Sequence, residues 1–161
     1  MTFYRDMGCR TMVASGRYVR AVGWLCREQL FSQGPVAAEA FDRLHQFATR
    51  WRDSTQALGW GKFRGLHRCE FCGSVQMFGN FGVPAAEVLY VAPEKVAHYV
   101  EAHGYTPPAG FLTAVVTAPL PGTEAYTTAV ARFRRLHLRA RAQRLWRLRR
   151  HRRKKGIGSS A

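Results

Sequence analysis

Apolar residues recur at steps of three to five from Val36 onward. Val36, Ala40, Phe41, Leu44, Phe47, Ala48 and Trp51 share one helical face, with Asp42, Arg43, Arg50 and Arg52 turned to solvent. Pro35 suits the first helical position, where a missing N–H costs nothing. The run Ser32-Gln33-Gly34 separates this helix from residues 18–31, an apolar-rich stretch compatible with a strand or a helix. Residues 1–17 carry no clear period, and residues 59–65 read as a Gly-rich loop. Residues 74–78 predict a short strand, Gly79-Asn80 a two-residue hairpin turn, and residues 81–83 the returning strand, stopped by Pro84. Residues 87–91 predict a further strand. Pro93 then opens a helix over 94–103, with Gly104 placed for a left-handed C-cap. Pro107-Pro108 precede a short apolar helix over 111–116, and Pro119 and Pro121-Gly122 break the chain again. Thr123 is a suitable N-cap, and the helical pattern beyond it runs to about Lys155.

The composition narrows the class. The chain has 161 residues, of which 47% are apolar and 22% charged, so it carries enough apolar surface for one folded domain. No run approaches the ~18 apolar residues of a membrane-spanning helix. Charge is distributed very unevenly. Of 25 Lys and Arg, thirteen lie between Arg132 and Lys155, where no acid occurs, and the rest of the chain balances to about +2. The expected organisation is a body over 1–122, an Arg-rich helical extension over 123–155 and a flexible end over 156–161. Such asymmetry points to a polyanionic partner for one segment only.

Cys9, Cys26, Cys69 and Cys72 are too few and too unevenly placed for a disulfide framework. The first twenty residues contain no apolar run of signal-peptide length, and Asp6 and the early aromatics speak against a transit peptide. A reducing cytoplasm is the expected setting, where close Cys pairs bind metal more often than they form disulfides. Cys69-x2-Cys72 followed by Gly73 is a knuckle pattern: both thiolates can turn to one ion, and the glycine permits the tight turn. His98 and His103 complete C-x2-C-x25-H-x4-H, a zinc set, with His67 as an alternative ligand. One geometric difficulty stands against the pair. Residues five apart on an α-helix differ by about 140° in azimuth, so both imidazoles reach one ion only if the last turn is distorted near Gly104. Competing readings are a redox dithiol, free thiols, and a His103 that merely stabilises the helix end. Cys9 and Cys26 read as small buried apolar residues, and His45 as a surface histidine.

Catalysis has little support. Residues 98–103 fit neither H-E-x-x-H nor H-x-x-E-H. Two thiolates and two imidazoles also close a coordination sphere, leaving no position for water. Only a three-ligand site would open a metal-dependent enzyme reading, with Glu101 or Glu94 as base. No catalytic residue and no small-molecule substrate is assigned.

The stretches GLHRCEFCG, LYVAPEKVAHYVEAHGYTPPAGF and VGWL resemble a family of small, mostly uncharacterised bacterial proteins. That family carries a G-x-H-x-C-x-x-C knuckle and an L-Y-V-A-P-E…H-Y-x-x-A-H-x-Y-x-P-P block. The resemblance spans roughly residues 22–126. It implies that His67, Cys69, Cys72, His98 and His103 form one constellation, and it supplies no reaction. The chain departs from the pattern after about Leu136.

From Arg132 onward, Arg132, Arg134, Arg135, Arg139, Arg141, Arg144, Arg147, Arg149, Arg150, Arg152, Arg153, Lys154 and Lys155 are interleaved with Leu138, Leu145, Trp146 and Leu148. Guanidinium groups bind phosphate bidentately and stack on bases, which favours a nucleic acid as partner. An acidic protein surface is the second reading, and a membrane surface with Trp146 as anchor is the third. No base-reading motif is present, so contacts to the phosphate backbone are expected. The expected fold is α+β: a small zinc-knuckle and β-hairpin unit packed on helices, with a long basic C-terminal helix. The expected function is a non-enzymatic, zinc-stabilised module that contacts nucleic-acid phosphates. The alternatives are an adaptor or immunity-type regulatory factor gripping an acidic partner, and a small metal-dependent enzyme.

Overall fold

The computed structural model describes residues 3–60, 67–74, 76–77 and 79–156, with the backbone alone for 67, 76 and 147–156. In chain order the strands are Val19–Ala21 (β1), His67–Arg68 (β2), Gln76–Met77 (β3), Asn80–Pro84 (β4) and Leu89–Pro93 (β5). The helices are Ala38–Thr49 (α1), Trp51–Leu58 (α2), Val96–His103 (α3), Ala109–Thr117 (α4) and Glu124–Gly156 (α5). The expected 59–65 loop and the 156–161 end lie mostly outside the described residues.

The fold is mixed α and β around one small sheet. β5 is its centre, parallel to β1 on one side and antiparallel to β4 on the other. Every residue of β4 and β5 is buried, so neither strand alternates between apolar and polar positions, and Asn80 is the one polar side chain among them. α1, α2 and α4 pack on β4, and α1 also meets α3 and α4. β2 and β3 form a separate two-stranded hairpin.

That pairing corrects the expected hairpin at Gly79-Asn80. β3 pairs backward with β2, and β4 pairs forward with β5. Gly79 serves another purpose: a Cβ there would sit 2.3 Å from the Trp51 ring, so only glycine admits the indole. Its amide donates to Glu94 Oε2 (3.1 Å), and its carbonyl accepts the Glu94 amide (2.9 Å).

Other boundaries also moved. Pro93 ends β5 instead of opening α3: it stands opposite Asn80 at a position of the ladder where the two residues exchange no hydrogen bond, so its missing N–H costs the pair nothing, and α3 begins only at Val96. The expected 36–51 helix begins at Ala38 and is interrupted at Arg50, where α2 takes over. Thr123 does cap α5, its Oγ1 accepting the Tyr126 amide at 3.1 Å. Cys26 is buried as expected, but Cys9 is exposed, since residues 3–10 run along the outside of the sheet.

Tyr126, Val130 and Phe133 root α5 in the core at helical spacing. The Tyr126 hydroxyl donates to Gly82 O (2.8 Å), and Ser54 Oγ accepts the Gly82 amide (2.9 Å). With the tyrosine proton so committed, Ser54 donates to the Tyr126 oxygen at 2.6 Å. α2, β4 and α5 are therefore joined by a closed, satisfied ring of buried polar groups. Among the described residues no helix is long and apolar enough to cross a membrane.

Candidate metal centre

The knuckle is the tip of the β2–β3 hairpin. The register pairs His67 with Met77 and Arg68 with Gln76, leaving residues 69–74 to turn the chain. The Gly73 amide donates to Cys69 O at 2.9 Å, and its φ of 71° bends the backbone as a side-chain-bearing residue rarely does. Cys69 is thereby buried toward the body while Cys72 stays exposed.

α3 supplies the other half. Cys69 Sγ lies 3.3 Å from His103 Nε2, Cys72 Sγ lies 3.3 Å from His98 Nε2, and the two Nε2 atoms are 3.2 Å apart. All four ligand atoms fall within 4.8 Å of one another. A tetrahedral zinc ion with ordinary Zn–S and Zn–N bonds would set neighbouring S and N atoms about 3.5 Å apart and two N atoms about 3.3 Å apart. Cys69, Cys72, His98 and His103 could therefore hold one metal ion, and the donor set is compatible with zinc.

The azimuth difficulty is met where the sequence places it. The Gly104 amide donates to Tyr99 O, five residues back rather than four, and the Tyr105 amide reaches the same carbonyl at 3.0 Å. Gly104 permits this with a φ of 64°. A turn of that width brings residues five apart nearer the same side of the axis than a regular α turn does. His98 and His103 then meet edge to face, with ring centroids 5.0 Å apart. The His67 side chain lies outside the described residues.

Two neighbours of the cluster were not singled out from sequence. Phe71, inside the C-x2-C, packs on His103 (5.1 Å), Tyr99 (5.8 Å) and Phe31 (5.5 Å between centroids), so it pins the knuckle to the body. A large apolar residue between two metal-ligand cysteines is a readable sign of such an anchor. Lys95 is 2% exposed at the start of α3, and its Nζ donates to Arg68 O at 3.0 Å. Burial pushes its ammonium down, while Cys69 and Glu70 pull the other way. Lys95 thus ties the start of α3 to the foot of the knuckle.

The remaining electrostatics follow the same logic. Ser74 lies against Cys72, with Oγ 2.9 Å from Sγ, and its hydroxyl and amide bring the thiol down to about 6. Burial pushes the Cys26 thiol up, and burial followed by the Cys69 charge pushes the Tyr99 phenol up. Cys72 is thus prepared as a ligand and Cys26 is not. His45 is exposed on α1, as expected.

The Arg-rich segment gives a mixed account. Arg132 turns back onto the body, donating to Ala85 O (3.2 Å), facing Glu87 (3.7 Å) and lying over Phe133. Arg134, Arg135, Arg139, Arg141 and Arg144 are exposed. The side chains of Arg147, Arg149, Arg150, Arg152, Arg153, Lys154 and Lys155 lie outside the described residues.

No curated protein and no solved structure matches the chain. A family model described as "Domain of unknown function (DUF7919)" matches residues 2–116, which take in the sheet, the hairpin and all four cluster residues. By that match, the chain belongs to the DUF7919 family.

Proposed function

We propose that this protein is a non-enzymatic binding module whose body is closed by a structural zinc ion and whose Arg-rich α5 contacts nucleic-acid phosphates. The observation that carries the first half is the convergence of two sulfurs and two imidazole nitrogens at the spacing of a tetrahedral ion. Four protein ligands fill the coordination sphere, which suits a structural role and leaves no open position for a reacting water. Cys69 and His103 are 34 residues apart, so the ion would close the hairpin onto α3 across a long stretch of chain. The second half is supported by thirteen Lys and Arg between Arg132 and Lys155 without a single acid. Eleven of these are arginine, the side chain whose fork matches a phosphate.

Two measurements test the reading. Protein purified without chelator should contain one zinc per chain, and Cys69→Ser should contain none. The intact chain should bind a short single-stranded oligonucleotide with strong salt dependence, and truncation after Leu136 should abolish that binding. Metal-free protein that is fully folded would remove the structural-zinc reading. An oligonucleotide affinity that survives truncation would move the nucleic-acid contact to the body.

A further inference from the structure

A cleft of about 660 Å³ separates the N-terminal segment from α5. One wall is a helical stripe: His137, Ala140, Arg141 and Arg144 fall at i, i+3, i+4 and i+7, with Ala140 leaving room between the longer side chains. The other wall is the turn from Arg10 to Ser15. Thr11 makes that turn rigid, because its Oγ1 donates to Ala14 O (3.1 Å) and accepts the amides of Val13 (3.3 Å) and Ala14 (3.1 Å). Residues 10 and 15 pair across it.

Three guanidinium groups line this space from two elements far apart in sequence, and among the described residues no carboxylate lines it. Among the described residues Arg10, Arg141 and Arg144 make no ion pair, and the Ser15 hydroxyl has no hydrogen-bond partner. Three like charges lining one concavity give it a positive potential that attracts an anion. Guanidinium forks with a hydroxyl donor match the oxygens of a phosphate ester. Met12 and Val13 add an apolar edge against which a sugar or base can rest.

We infer that the cleft between the Arg10–Ser15 turn and the His137–Arg144 stripe is a phosphate-binding site that holds one backbone phosphate of a nucleic-acid strand. The inference rests on the reading of α5 as a nucleic-acid contact and deepens it. It assigns a specific seat to the strand and brings in Arg10, which lies far outside the basic segment.

Arg10 makes the inference separable from the charge of α5. The test uses the full chain, a 5′-hydroxyl oligonucleotide as probe, and AMP and poly-glutamate as alternative ligands. Arg10→Ala should weaken oligonucleotide binding about tenfold and lower the salt slope by about one. Arg52→Ala, which removes the same charge from exposed α2 outside the cleft, should leave binding within about twofold. Inorganic phosphate should shift the ring resonances of His137 in the wild type and not in Arg10→Ala. Arg10→Ala that binds both the oligonucleotide and AMP like wild type overturns the cleft while the α5 reading stands. An intact chain that binds no oligonucleotide overturns both. If Arg10→Ala impairs AMP binding but not the oligonucleotide, the phosphate comes from a free nucleotide and the strand assignment fails. An equal loss for poly-glutamate overturns the phosphate chemistry.

Discussion

The first three turns of α5 and the turns that follow are one helix in two environments. Tyr126, Val130 and Phe133 are buried, and the Tyr126 hydroxyl belongs to a polar ring shared with α2 and β4. From residue 134 to 146 only His137 is even half-buried, and Leu136, Leu138, Leu145 and Trp146 stand exposed among the arginines. The knuckle is a third case. Its strands are two residues long, too short to hold themselves together, and Phe71 and the Cys/His cluster tie it to α3. Apolar packing holds the root of α5, a four-residue cluster able to hold a metal ion joins the hairpin to α3, and the outer part of α5 is fixed by neither.

The largest effect expected from breaking this contrast lies at the metal. Cys69→Ser, or treatment with a strong chelator, should lower the melting temperature by roughly 10 °C or more, because metal binding energy there is folding energy. Calorimetry of the two samples side by side checks this. Acid should act through the same ligands. Cys72 is held at about 6, so it is a thiolate at neutral pH, and the proton competes with the metal only as the pH falls below that value. Metal affinity should then drop by about tenfold per pH unit for that ligand alone, readable by competition with a chromophoric chelator. In the metal-free protein at neutral pH Cys72 should alkylate quickly and Cys26 slowly. Equal rates would contradict the opposite shifts of the two thiols.

A smaller effect is expected at the root of α5. Tyr126→Phe removes one hydroxyl and leaves Gly82 O and the Ser54 proton without partners, which should cost about 1–3 kcal/mol in denaturant unfolding. The smallest belongs to the outer helix. Truncation after Leu136 removes only exposed or half-buried side chains from the described part, so the melting temperature should move by about 2 °C or less. A large drop would mean that the outer helix packs on the body more firmly than its exposure indicates.

The Cys/His cluster was legible because metal chemistry restricts residue type and spacing together. Cys69, Cys72, His98 and His103 are four of a small number of residues able to ligate, and the helix signal put both histidines on one element, while the hairpin that carries the cysteines lies one strand earlier than expected. The azimuth argument even located the wide turn at Gly104. Strand pairing was less legible. Gly79-Asn80 has the composition of a turn, and nothing local in sequence shows that the glycine is required by Trp51, 28 positions upstream. The β1–β5 pairing was likewise hidden, since it joins residues 70 apart in a parallel ladder. Lys95 and Phe71 were missed for a related reason: their roles depend on burial beside the thiolates, and neither residue type is a ligand. The cleft at Arg10 could not be found from sequence at all, because its two walls meet only once α5 is docked.

The root of α5 also has a consequence for how such a chain can change over generations. The family match ends at residue 116, before α5 begins, yet three residues of α5 complete the core of the matched region. Tyr126, Val130 and Phe133 therefore work as a socket. Substitutions up to Phe133 are constrained by the shape of the body, while those after it are constrained only by whatever the helix meets outside. A chain that keeps this three-residue root keeps the core of the body intact, whatever charge or length the outer helix has.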